Sequence, residues 1–341
     1  MGSGLLETYS TTSLPITKTL GMSIIEADSA ATPEENKPAV EYFANLVHRA
    51  FQCGGFDALC AVLRVEGAHD ADWDPFEESL RSIELHNALL AHAQEKFGTD
   101  AARRFALLMY VHLVEMSAAH ELLYNLPRVA SGARYKAFPL YHLRRKKNKK
   151  SFVTIPPSAS TKFKLIRDAA KEAGENRIVD LIDGMFDDRV RNAVAHSDYI
   201  VTDEYFRWTE SGFASELSVA ELDQILANCF EFYTGLLSAR RRVLTGLGRG
   251  RRFHRWPNYE VLELLSTRED GVYGFKVHFS NGSHSRYSRR RGSADAMNMI
   301  FQSDGTINFM VGMVNNLTNV YKVNGEPITD WEALELLPRE G

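Results

Sequence analysis

Cysteine is scarce in this chain. Only Cys53, Cys60 and Cys229 occur in 341 residues, an odd, scattered set with neither metal nor redox spacing. That points away from a disulfide scaffold or zinc module and towards free thiols in a reducing, cytoplasmic setting. No apolar run approaches the roughly 20 residues of a membrane helix. The opening Met-Gly-Ser-Gly-Leu-Leu has no basic region before an apolar stretch and no Ser or Thr at position 6. Neither a secretory leader nor a myristoylation signal is therefore expected. Gly246, Gly248 and Gly250 have no strand before them and no Lys-Ser/Thr after, which leaves a linker rather than a phosphate loop. His112, Met116 and His120 share a stripe beside Glu115 and Glu121, but no second ligand cluster accompanies them. They read as bundle histidines, and neither a metal nor a cofactor is expected. Internal repeats are absent.

Acidic residues are also missing from particular places. The net charge is −4, yet residues 34–127 carry 15 acidic and 7 basic side chains, and residues 128–150 carry 9 basic and no acidic ones. That second stretch includes Arg144, Arg145, Lys146, Lys147, Lys149 and Lys150. Residues 240–255 hold 7 Arg without an acid, Arg251 and Arg252 among them. A further cluster is Arg286, Arg289, Arg290 and Arg291. Three acid-free clusters in an acidic protein favour a phosphate-rich partner, and RNA contact is assigned to the residues named in the first two.

Hydrophobic periodicity divides the chain. Residues 1–33 lack a sustained period and read as a flexible arm. Thr32-Pro33-Glu34-Glu35 starts a helical region with an N-cap and a Pro at the first helical position. Helical stripes come next: Val40 to Phe51, Phe56 to Val65, Leu80 to Phe97, then 100–125 after Gly98, and Phe163 to Ala170. A long basic loop is expected over about 128–160. A single helix is expected from Glu175 to about His196, then a hairpin over Tyr199–Trp208 and a helix from Ser218. Beyond the Arg/Gly linker at 246–255, strands alternate round Asn281-Gly282, Asp304-Gly305 and Asn324-Gly325, and Thr329 caps a last short helix. The expected fold is mainly α: an antiparallel helical bundle over 34–245 with a small C-terminal α+β domain over 256–341.

One segment carries chemistry. In Phe-Asp-Asp-Arg-Val-Arg-Asn-Ala-Val-Ala-His-Ser-Asp-Tyr, residues 186–199, Arg191 and His196 flank four residues and Asn192 follows the arginine. A fixed cation beside an imidazole suits phosphodiester chemistry without a metal, since the cation holds charged oxygens and the imidazole moves a proton near neutral pH. Spacing alone decides little: five Arg/His pairs of this kind occur, where random placement gives roughly 2.6. On one straight helix Arg191 would also lie about 140° round from His196, while Arg189, Asn192 and His196 share a sector.

The string Arg-Asn-Ala-Val-Ala-His-Ser-Asp-Tyr closely resembles the signature of HEPN domains, the helical family built round Arg-x(4–6)-His with a polar residue after the arginine. The resemblance spans about 36–245 by helix pattern, and its sequence-specific part is this one helix end. It implies a metal-independent endoribonuclease, of a kind found among toxins and antiviral defence effectors, acting by 2′-OH attack. Arg191, His196 and Asn192 would be catalytic, with Arg189 and Asp198 in support. It further implies a homodimer that joins two motifs in one cleft, and leaves room for a protein inhibitor or sensor partner. The alternative is a non-catalytic HEPN-like scaffold for RNA, a nucleotide or a protein, with His196 as a helix cap and Arg191 as an ion-pair partner.

Overall fold

The computed structural model describes residues 8–9, 38–65, 76–146, 154–210, 212–256, 259–268, 271–279, 283–290, 293–310, 322–323 and 326–327. The arm expected over 1–33 lies outside them apart from Thr8–Tyr9, as do the helix start at Thr32-Pro33, Lys147, Lys149, Lys150, Arg291 and the helix after Thr329.

The helical half keeps to its stripes. Helix α1 (Pro38–Cys53) buries Val40, Phe43, Val47, Ala50 and Phe51. Helix α2 (Gly55–Leu63) buries every residue but Asp57, so it threads the centre instead of lying on the surface. Helix α3 (Phe76–Glu115) bends at Gly98, whose φ of 82° is open to glycine. Met116, with ψ of 99°, then separates it from α4 (Ser117–Ala130), where the sequence suggests one helix to 125. In the basic loop a 3-10 turn, Tyr141–Leu143, precedes a two-residue ladder of β2 (Arg145–Lys146) with β3 (Thr154–Ile155). Ser158 caps α5 (Ala159–Glu172) by accepting from the Thr161 amide. Two helices replace the single one expected from Glu175: α6 (Asn176–Met185) and α7 (Asp188–Ala195), parted at Phe186-Asp187. Strands β4 (Tyr199–Val201), β5 (Tyr205–Glu210) and β6 (Phe213–Ser218) form an antiparallel sheet in that order. A capping box of Ser218 and Glu221 then opens α8 (Val219–Arg249), 31 residues long.

The C-terminal sheets overturn the expectation of a mainly α bundle with a small appended domain. Strands β7 (Phe253–Trp256), β8 (Tyr259–Thr267), β9 (Gly271–His278), β10 (His284–Arg290) and β11 (Ser293–Met297) form a five-stranded antiparallel sheet. Strand β13 (Ile307–Met310) pairs with β12 (Met299–Phe301) and with β1 (Thr8–Tyr9), and β14 (Lys322–Val323) pairs with β15 (Glu326–Pro327). The five-stranded sheet does not stand apart: Leu262, Leu264, Phe275 and Val277 join the same buried cluster as Phe43 and Tyr110. Phe56 of α2 meets Phe275 at 5.2 Å and Phe309 at 5.9 Å. The architecture is α+β, with helices and sheet round a shared core.

The misreading has a physical source. The glycines at 246–250 suggest a linker, yet Gly246 and Gly248 lie inside α8, and Val243, Leu244 and Leu247 extend its buried stripe. A Cβ on Gly248 would lie 2.9 Å from Gly271 Cα. Glycine serves there for close approach of helix and strand, not for flexibility.

Candidate functional site

Helix α7 starts where Asp187 caps it. The carboxylate accepts from the Arg189 and Val190 amides at 2.9 and 3.3 Å. From α3, the buried Tyr110 hydroxyl accepts from the Asp187 amide at 2.9 Å and donates to the Asp187 carbonyl at 3.1 Å. The break before the motif is thereby pinned to α3. Burial raises the Asp187 carboxyl, but Arg189 and the two amides reverse this and hold it below its ordinary value. Val190, Ala193 and Val194 face the core.

Arg191 points at α3. Its Nη2 donates to Glu115 Oε1, and its Nη1 donates to Asn192 Oδ1 at 2.6 Å. Its Nε is buried and has no acceptor among the described residues. The pair reaches solvent at one edge: the Arg191 side chain is 21% exposed and that of Glu115 33%. Arg189 turns away, paired with Asp187 at 2.6 Å and lying over the Trp208 ring at 5.7 Å.

His196 is the C-cap of α7. It is exposed, as are Ser197 and Asp198, and neither the His196 nor the Asp198 side chain makes a hydrogen bond or ion pair among the described residues. The helix ends in a Schellman arrangement, with the Asp198 amide on the Ala193 carbonyl at 2.9 Å and the Ser197 amide on that of Val194 at 3.1 Å. Ser197 occupies the left-handed position at φ 57°, where glycine is usual. Ser197→Gly should therefore stabilise the fold by about 1 kcal/mol, seen as a raised urea midpoint at unchanged m-value.

Behind Arg191 lies polar structure that the motif does not announce. Lys162 of α5 is 4% exposed and donates to Ser117 Oγ at 3.2 Å. Burial lowers its pKa against the opposing pull of Glu115 and Glu121, and Arg191 lowers it further. His120 is fully buried against Phe163, ring centroids 4.7 Å apart. Burial first, then Lys162, pushes it down to about 3, so it is neutral at physiological pH. Met116 puts it on a different helix from His112, which breaks up the stripe the sequence suggested. Among the described residues no group of three or more His, Cys, Asp or Glu could hold a metal ion.

The site residues read from the sequence thus divide. Arg191 and Asn192 meet, Arg189 is held by Asp187, and His196 and Asp198 stand at the open helix end. Of the proposed RNA contacts, Arg144 is exposed with its guanidinium 5.0 Å from the Tyr141 ring centroid, and Arg251 is exposed. Arg145 and Lys146 form β2. Arg252 is engaged in the sheet, donating to Glu263 through Nε at 3.0 Å and Nη2 at 2.5 Å. Arg289 is also buried, donating to the Arg64 carbonyl at the end of α2 at 2.6 Å.

Sequence reasoning missed Asp187, Tyr110 and Lys162, and treated Glu115 only as a rejected metal ligand. Asp187 had a signal, a capping residue just before a short apolar stripe. Lys162 had none, since it neighbours the stripe of Ala159, Phe163 and Ile166 like any surface lysine. No family model, curated protein or solved structure matches the chain.

Proposed function

We propose that this chain is a metal-independent endoribonuclease working at the C-terminal end of α7. The observation that carries this reading is an Arg191 guanidinium oriented by Asn192, at 2.6 Å, on the eight-residue helix that ends in an exposed His196. His196 takes the proton from a ribose 2′-OH or gives one to the departing 5′-oxygen. Arg191 neutralises charge on the non-bridging oxygens as the 2′-oxygen bonds to phosphorus and the 5′-oxygen leaves. The products are a 2′,3′-cyclic phosphate and a 5′-OH. A second copy of the chain completes the cleft, since Arg191 faces inward to α3 while His196 faces out. Arg144 and Arg251 offer exposed charge for the RNA backbone.

The scaffold reading draws support from the Arg191–Glu115 ion pair, a partner of the kind a structural arginine takes. Incubation of the purified protein with total RNA in EDTA, followed by mapping of the ends, separates the two. Cyclic phosphate and 5′-OH ends support the nuclease, and intact RNA supports the scaffold.

A further inference from the structure

Cationic donors outnumber the anions that meet them where the α3–α4 break faces α5 and α7. Arg64, Lys162 and Arg191 stand near Glu115 and Glu121, and His120 adds no charge. Glu121 is taken by Arg64 Nε at 2.5 Å. Glu115 is taken by Arg191. Lys162 is left with no carboxylate within 4.0 Å among the described residues, although it is 4% exposed. Its ammonium has three donors, and Ser117 Oγ accepts one of them. Arg191 Nε is a second buried donor without an acceptor among the described residues. A buried charge left this way is costly unless an anion joins it. Glu115 is the member of the set nearest solvent, its side chain 33% exposed.

We infer that this junction is a phosphate subsite completed by Lys162, and that the Glu115 carboxylate occupies the phosphate's place on Arg191 while the subsite is empty. An entering phosphate displaces Glu115 towards solvent, accepts from Arg191 and supplies the anion that Lys162 lacks. The ligand class is a phosphate group, presented by an RNA backbone or as the free ion. For its place in the reaction the inference rests on Arg191 acting on RNA, and binding and cleavage are measured separately to keep the two apart.

The unfolding temperature of the full chain is measured against inorganic phosphate, with sodium chloride at matched ionic strength as control. The wild type should show a saturable rise specific to phosphate. Glu115→Gln removes the competing charge, so half-saturation should come at about tenfold less phosphate, the scale of one charge-assisted hydrogen bond. Lys162→Met keeps the length of the side chain without the charge, and should lose the phosphate response while unfolding at a temperature equal to or above that of the wild type. A lysine with a merely structural role would instead lower it. In parallel, Glu115→Gln should lower KM for RNA more than it changes kcat. A wild type without a saturable response, or a Glu115→Gln chain that binds phosphate no better, overturns the subsite. If Lys162→Met does not fold, the Glu115→Gln arm decides alone. Phosphate responses without RNA cleavage would leave the subsite standing and remove the nuclease. Cleavage without those responses would do the reverse.

Discussion

Replacing His196 by Ala is expected to slow RNA cleavage by about 10²–10⁴, the usual contribution of a positioned proton-transfer group. Folding and RNA binding should be nearly unchanged, because the side chain is exposed and its role in the α7 cap is through the backbone. Arg191→Ala should be as damaging in rate, through loss of charge stabilisation made in the transition state. It should also cost some stability, since Glu115 loses its partner. Arg191→Lys should not restore activity, because an ammonium cannot offer the planar fork to two phosphate oxygens and Asn192 at once. Arg81 and His86, a pair of identical spacing elsewhere in the chain, provide the control and should tolerate alanine. Cleavage by His196→Ala at the wild-type rate would end the nuclease reading, and loss of activity in EDTA would end its metal-free form.

Acid should unfold this protein through Glu263. The carboxylate is 2% exposed and accepts from Arg252 Nη2 at 2.5 Å, and it bonds His278 Nε2 at 2.8 Å. Burial raises its pKa, but the bonds to His278 and Arg252 outweigh burial and bring it from an ordinary 4.5 down to about 2. A depressed folded-state value means that ionised Glu263 favours the fold. Its contribution is complete above about pH 4.5 and is lost as pH falls towards 2. By linkage this is on the order of 3 kcal/mol, a large part of a domain's net stability. Glu263→Gln should lower stability at pH 7 and flatten the curve between pH 4.5 and 2, where the wild type should fall steeply. Urea unfolding at a series of pH values measures both. A wild type whose stability is flat over that interval would show that Glu263 carries no such weight.

How much of the structure was legible in the sequence depends on the range of each signal. Stripes such as Val40–Phe51 and turns such as Asp304-Gly305 are local, and the structure places helix and hairpin there. The division at Phe186-Asp187 is tertiary in origin, because a buried tyrosine hydroxyl from α3 holds it open. Periodicity therefore runs two helices together, but Arg191 and His196 both belong to α7, so the angle between them remains, with Arg191 turned to Glu115 and His196 at the open end. Glu115 meets Arg191, and Lys162 comes under the influence of both charges, only after three helices have packed. No spacing in the chain records that meeting. The arginine clusters were legible as charge but not as exposure: Arg252 and Arg289 are spent inside the fold, on Glu263 and on the end of α2.

The length of α8 bears on how this protein is cut by proteases. Seven arginines between 240 and 255 make this stretch rich in trypsin sites. A protease needs several residues extended in its cleft, and here the chain is helix to Arg249 and strand again from Phe253. Arg240 is further tied to the Val62 carbonyl at 2.7 Å. Cleavage within the helix, at Arg240, Arg241 or Arg242, must wait for α8 to come away from both halves of the core. Its rate then reports the opening equilibrium of the whole fold, not the looseness of a hinge.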